Sequence, residues 1–206
     1  MGYFPFFADI TDKLCLVVGG GRVALRKIQR IKPFGARITV VSPLICAEIR
    51  EIKEVEIRER AFIASDLDNV DFVVSATGVK TVGEEIFRLC IEKNTPVNTV
   101  DDKEKCTFIF PSLITEGDIT LGISTGGKSP LFAKYLKEII QPLINEDNLA
   151  LLKILEEKRP LIMQKIQSAD MRKAVQERLL EMLISTDKPN MEAINLMIEE
   201  YVKNEA

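Results

Sequence analysis

An unbroken apolar run, Leu14-Cys15-Leu16-Val17-Val18, gives way to three glycines, and from Ala24 the apolar positions recur at the helical spacing Ala24, Ile28, Ile31. The pattern predicts a buried strand, a glycine turn and a helix that ends near Pro33-Phe34-Gly35, where proline and glycine close it. Further apolar or β-branched runs predict strands over 37–41, 55–58, 71–76 and 96–100. Between the last two, Val82, Ile86 and Leu89 form a helical stripe over 81–93. Strands that alternate with helices build a parallel sheet, which presents its ligand-binding loops at the carboxyl ends of the strands. The loops of interest therefore begin at Gly19, Ser42, Thr77 and Asp101.

Past residue 106 the pattern changes. Segments 107–112 and 119–123 read as adjacent strands joined by a Glu116-Gly117-Asp118 turn. Ser129 is a good N-cap and Pro130 a good first helical residue for the helix over 131–140. From Asn145 the chain is mostly helical: Leu149, Leu152, Ile154 and Leu155 predict one apolar face, Pro160 interrupts it, and Val175, Leu179, Met182 and Leu183 predict another. Lys188-Pro189-Asn190 sets off a last helix over 191–202.

Composition narrows the function classes. The 206 residues are 46% hydrophobic, enough for a sizeable core, and the net charge is -3, which argues against a nucleic-acid binder that neutralises phosphates. No apolar stretch approaches the roughly 20 residues of a membrane span. The segment Met1 to Ile10 has no basic region ahead of an apolar run, so the expected location is the cytoplasm. Cys15, Cys46, Cys90 and Cys106 lack the paired spacing of zinc or redox sites and read as small hydrophobes, so no metal is expected. The chain has no histidine, which leaves carboxylates, lysines, hydroxyls or a cofactor to do any chemistry.

The glycine turn is the clearest candidate site. Gly19 permits a tight turn, Gly20 continues it, Gly21 lets backbone approach a pyrophosphate, and small Ala24 lets the helix pack on the strand. Where many dinucleotide folds hold the ribose with an acidic residue about 20 positions on, this chain has Ser42-Pro43. Ser42 can hydrogen-bond a ribose or simply begin a proline turn, and both readings stand. No arginine directly follows to mark a 2′-phosphate site, so NAD is expected over NADP. A second candidate is Ser124-Thr125-Gly126-Gly127-Lys128, where two glycines, a lysine and a helix start can bind an anion or serve helix capping alone.

Three blocks in order, VVGGGRVALRK, VNTVDDKEKCTFIFPS and ISTGGKSPLFAKYLKEII, resemble the precorrin-2 dehydrogenase family, the NAD-dependent module also found as the N-terminal part of siroheme synthases. The resemblance spans most of residues 1 to 140. It implies an α/β fold: a Rossmann-like parallel-sheet domain over 1–112, a dimerisation segment over 113–144 and a helical domain over 145–206. It also implies a homodimer and NAD-dependent oxidation of precorrin-2, a tetrapyrrole bearing eight carboxylates, to sirohydrochlorin. Some relatives insert ferrous iron as well. The family pattern puts Arg22, Val23, Pro43 and Leu44 against the cofactor and Thr77 near the nicotinamide, and its important aspartate corresponds to Asp101. Loss of hydride to NAD is accompanied by loss of a proton, which suits a carboxylate general base; the alternative for Asp101-Asp102 is a solvated turn. Strand alternation sends Asp102 the other way. An acidic protein that takes a polyanion needs a local basic site: Lys128, with Ser124, Thr125 and the Gly126 and Gly127 amides, is the best placed, and Lys134 and Lys137 are candidates for a cleft rim.

Two functions from different classes follow: an enzyme oxidising precorrin-2, with metal chelation as a variant, and a non-catalytic module that senses NAD or presents a ligand. Asp101 beside an anion loop favours the enzyme, because a sensor needs no base there.

Overall fold

In the computed structural model, which describes residues 3–185 and 189–205, five strands pair in parallel in the order β3-β2-β1-β4-β5. They are β1 (Leu14–Val18), β2 (Arg37–Val41), β3 (Val55–Arg58), β4 (Phe72–Ser75) and β5 (Val97–Thr99). Three helices connect them: α1 (Arg22–Ile31), the single-turn α2 (Ala47–Arg50) and α3 (Lys80–Glu92). The central strand β1 is apolar at every position because both faces of the sheet are covered there. Cys15, Val17, Ile38, Val40 and Val74 share one cluster with Ala24, Ile28 and Ile31 of α1. Their sequence neighbours Leu16, Val18, Val41 and Val73 point the other way, toward Ile86 and Cys90 of α3. Beyond α1 the residues Lys32–Phe34 tighten into a 3-10 turn, and Gly35 closes it in the left-handed region at φ 77°.

A second compact unit comprises Ser112–Thr125 and the chain from Ser129 onward; Gly126–Lys128 cluster with the sheet unit instead. Strands β6 (Ser112–Glu116) and β7 (Ile119–Ile123) form an antiparallel hairpin, followed by α4 (Pro130–Ile140), α5 (Glu146–Lys165), α6 (Ala169–Ile184) and α7 (Met191–Glu205). Ile162 and Ile166, with Val175, Leu179 and Leu183 of α6 and Ile194 and Ile198 of α7, make a separate helical core. Ser129 caps α4 by accepting from the Phe132 amide at 3.2 Å, with Pro130 next in line.

Three expectations are corrected. Segment 107–112 is not a strand: Thr107 reaches the edge of β5 by donating to the Val97 carbonyl at 2.8 Å, but only one bridge, Asn98 to Cys106, forms. Pairing stops there because Phe108 and Phe110 turn toward each other, ring centroids 5.5 Å apart, and Pro111 has no amide hydrogen to donate, so the hairpin starts at Ser112. Pro160 does not interrupt the helix but lies inside α5, which packing of Ile162 and Ile166 on the far side holds together against a cost of about 3 kcal/mol. Leu151 rather than Leu152 faces the helical core. Lys188 of the expected separator, like Met1 and Gly2, lies outside the described residues. Among the described residues no helix is long and apolar enough to cross a membrane.

Candidate dinucleotide site and strand-end carboxylate

Because the five strands are parallel, the turns that begin at Gly19, Ser42, Thr77 and Val100 all leave the same edge of the sheet. The three glycines at the first turn are needed for different reasons. Gly19 has φ 118°, and a Cβ there would lie 2.4 Å from the Ala76 carbonyl oxygen. At Gly20 the backbone is ordinary, but a Cβ would lie 2.2 Å from the Leu44 carbonyl oxygen. Gly21 answers to neither demand: its φ of -91° suits any residue, and nothing lies within 4 Å of where a Cβ would be. It is the N-cap of α1, with no side-chain hydrogen bond to the first turn. Open space in front of amide donors at a helix N-terminus fits a pyrophosphate, which supplies the missing acceptors and is attracted by the helix dipole. The protein around the turn therefore fits a dinucleotide.

Arg22 and Val23 begin α1 and are exposed, and Leu44, 82% exposed, stands at the rim with Pro43. Ser42 is buried, and its hydroxyl donates to the Leu44 carbonyl at 2.8 Å, shaping the proline turn while its lone pairs stay available to accept. Thr77 accepts from the Val79 amide at 3.2 Å and is half-buried at the end of β4. Three buried polar atoms at the ends of β4 and β5, Ser75 Oγ, Asn98 Oδ1 and Thr99 Oγ1, have no hydrogen-bond partner. Such atoms are costly unless a ligand or water completes them, and they went unnoticed in the sequence because hydroxyls within strands are ordinary.

Strand β5 ends at Thr99, two residues before Asp101, so alternation along the strand does not govern where Asp101 and Asp102 point. The chain instead turns: the Val100 amide donates to the Ser75 carbonyl at 2.9 Å, and Asp101 sits in the left-handed region at φ 60°, which aspartate tolerates better than most residues. Asp101 is exposed. Asp102 is half-buried and paired with Lys105 at 2.9 Å, and the Lys105 ammonium holds its carboxyl below the usual range. Lys27 of α1 was missed. Its Nζ stands 3.9 Å over the Phe110 ring; burial and then the Arg30 charge push its pKa downward, and the Asp101 carboxylate acts in the opposite sense. The signal was a lysine on the apolar stripe of α1, one residue before Ile28.

Within the second candidate, Gly126 (φ 61°) and Gly127 (φ 79°) make a left-handed turn, and Lys103 donates to the Gly126 carbonyl at 2.5 Å. A Cβ at Gly127 would lie 3.1 Å from Lys103 Nζ. Lys128 is exposed. The Thr125 hydroxyl accepts from the Ser129 amide at 3.1 Å and donates to the Ser129 carbonyl at 3.0 Å, so it braces the start of α4. Ser124 precedes it and is exposed. Lys134 pairs with Glu138 at 3.4 Å on α4. No group of three or more His, Cys, Asp or Glu side chains able to hold a metal occurs among the described residues.

Comparison with known proteins agrees with this geometry. Residues 6–112 match a family model described as putative NAD(P)-binding, and residues 116–141 match one described as sirohaem biosynthesis protein central. The siroheme synthase of Thioalkalivibrio sulfidiphilus is 39% identical over 184 residues, 88% of this chain but 38% of that protein. That of Zymomonas mobilis is 35% identical over 181 residues, with 86% and 38% covered. This chain thus spans less than two fifths of the length of these relatives. The solved structure of SirC, a precorrin-2 dehydrogenase, aligns over 98% of this chain and 100% of its own, with a TM-score of 0.74 and 27% identity.

Proposed function

Since the chain belongs to the precorrin-2 dehydrogenase family, whose NAD-binding module siroheme synthases share, we propose that it oxidises precorrin-2 to sirohydrochlorin with NAD. The observation that carries the proposal is the meeting, at one edge of one sheet, of an anion-receptive helix start behind Gly21 and the exposed carboxylate of Asp101. In this reading Gly19, Gly20, Gly21, Arg22 and Val23 hold the pyrophosphate, Ser42, Pro43 and Leu44 hold the adenosine half, and Thr77 borders the nicotinamide. Bound NAD supplies the acceptor for the two electrons and one proton that leave as hydride. Asp101 takes the second proton, so the macrocycle loses two hydrogens and one C–C or C–N double bond is gained. Ser124, Thr125, Gly126, Gly127 and Lys128 engage substrate carboxylates, with Lys128 providing the charge.

The test is to incubate the purified protein with precorrin-2, with and without NAD, and to follow the spectrum. Conversion to sirohydrochlorin that requires NAD is the expected result, and no conversion with both present overturns the proposal.

We also assign the protein to the cytoplasm as a homodimer, with residues 113–144 as the joining segment. Support comes from α4, where Leu131 (80% exposed), Phe132, Tyr135 and Ile139 lie on an exposed apolar stripe. Phe132 and Tyr135 stack with centroids 5.9 Å apart. Apolar stripes of this kind mark association surfaces. Light scattering at micromolar protein should give twice the chain mass, and Tyr135→Glu should shift the mass toward one chain; a monomeric mass for the unmodified protein sinks the assignment.

A further inference from the structure

Two arginines stand beside the place where a dinucleotide fold reads the adenosine ribose. Strand β3 pairs with β2 so that Arg58 lies opposite Val41, and the Ser42 amide donates to the Arg58 carbonyl at 3.3 Å. Arg60 follows, its amide donating to the same carbonyl at 2.9 Å. At the end of the second strand of such folds an acidic side chain hydrogen-bonds the ribose 2′-hydroxyl, whereas a nearby arginine accommodates a 2′-phosphate. Here Ser42 occupies that end, so the carboxylate that would repel a 2′-phosphate is absent. Proximity alone would make Arg58 and Arg60 a phosphate site.

Asp66 prevents this. It sits in the 3-10 turn Ala64–Leu67 with its side chain 1% exposed, anchored by the Ile63 amide, which donates to Oδ2 at 3.0 Å. Arg60 grips it with both ends of the guanidinium, Nη1 to Oδ2 at 2.7 Å and Nη2 to Oδ1 at 2.5 Å. Arg58 donates from Nη1 to Oδ1 at 3.2 Å and from Nε to Glu56 Oε1 at 2.8 Å. Two guanidiniums are thus balanced by two carboxylates. The neighbouring Arg50 is likewise held by Glu59 at 2.5 Å. The hydrogen bonds from Arg60 chiefly, opposed by burial and aided by the Ile63 amide and Arg58, hold the Asp66 carboxyl at about 2, so it is ionised at any pH at which the protein works. A forked arginine–carboxylate pair is among the stronger charge-assisted arrangements, and a 2′-phosphate would have to break it before gaining an equivalent one.

We infer that Asp66 sets the choice of dinucleotide: by drawing Arg58 and Arg60 onto itself it denies them to a 2′-phosphate and leaves the Ser42 edge to a free ribose hydroxyl. Discrimination of this kind withholds an attraction rather than adding a repulsion. The inference rests on the proposed binding of NAD at the Gly19–Gly21 turn, and it makes Asp66 a positioning residue, because it acts through the arginines.

The experiment measures dissociation constants for NAD and NADP by calorimetry on the purified chain, at two salt concentrations. The unmodified protein should bind NAD more tightly than NADP. Asp66→Asn keeps the shape and removes the charge, so NADP affinity should rise at least tenfold relative to NAD, with the gain shrinking at high salt. Adding Arg58→Ala and Arg60→Ala to it should abolish the gain. Should Asp66→Asn fail to fold, Arg58→Ala alone decides: it leaves the Arg60 fork in place, so the ratio of the two constants should not change. A folded Asp66→Asn with an unchanged ratio, NADP binding as tight as NAD in the unmodified protein, or loss of NADP binding in Arg58→Ala would each overturn the inference. Failure of the NAD site itself is distinguishable, because there NAD would not bind or would survive Gly21→Asp.

Discussion

Replacing Asp101 by asparagine is expected to slow precorrin-2 oxidation by about 10²-fold or more while leaving NAD affinity nearly unchanged, the loss associated with removing a positioned acid–base group. Asparagine is nearly isosteric and tolerates the left-handed backbone found at Asp101, so the turn after β5 should survive the change. The substitution removes only the ability to accept a proton. Asp101→Ala should lose a similar amount of activity. Asp102→Asn should do little to the chemistry, since that carboxylate is already engaged by Lys105, although the turn loses an ion pair. Lys128→Ala should act mainly on the apparent substrate affinity, as expected of a contact remote from the reacting carbon. Full turnover by Asp101→Asn would hand the proton to water or to the substrate and reduce the protein's part to positioning. Loss of NAD binding in the same variant would make Asp101 structural. The non-catalytic sensor reading expects no turnover from any of these proteins, so the series separates the two functions.

The second large effect is expected at Gly21. Gly21→Asp should abolish measurable NAD binding in calorimetry and leave the melting temperature close to that of the unmodified chain. Both halves follow from the same geometry. The Cβ enters open space and the backbone is in an ordinary region, so folding is undisturbed. That open space lies before the first turn of α1, where a carboxylate both occupies the phosphate position and repels phosphate. Gly20→Ala makes the opposite case: its Cβ meets the Leu44 carbonyl oxygen at 2.2 Å, so it should lower stability and damage binding only as a consequence. A Gly21→Asp protein that binds NAD like the unmodified chain would move the site elsewhere.

The comparison of these two glycines shows how far local pattern reaches. Strands β1, β2, β3 and β7 have the bounds their apolar runs predict, and α4 begins at the predicted Ser129-Pro130 cap. Such features depend on residues within four positions of one another, and periodicity and capping chemistry record them directly. Parallel order follows as well, because strands that alternate with helices have few other ways to bury both faces of a sheet. The edge that carries Gly19, Ser42, Thr77 and Asp101 is therefore legible in the sequence.

What tertiary structure alone decided is where distant segments meet. Gly20 is required by a carbonyl 24 positions away, at Leu44, and nothing in a glycine triplet tells which member faces protein and which faces ligand. Asp66, read locally, is an acidic residue in a turn; only the pairing of β3 with β2 brings Arg58 to the ribose edge and shows what the carboxylate withholds. β5 stops at Thr99 because the chain turns there, with Val100 bonded back to Ser75 of the neighbouring strand, and α5 runs through Pro160 because α6 and α7 hold it on its far side. In each instance the deciding contact joins residues far apart in the chain. The free energy of burial and charge pairing there exceeds the local preference that the sequence records, and its partners carry no fixed spacing from which they could be read.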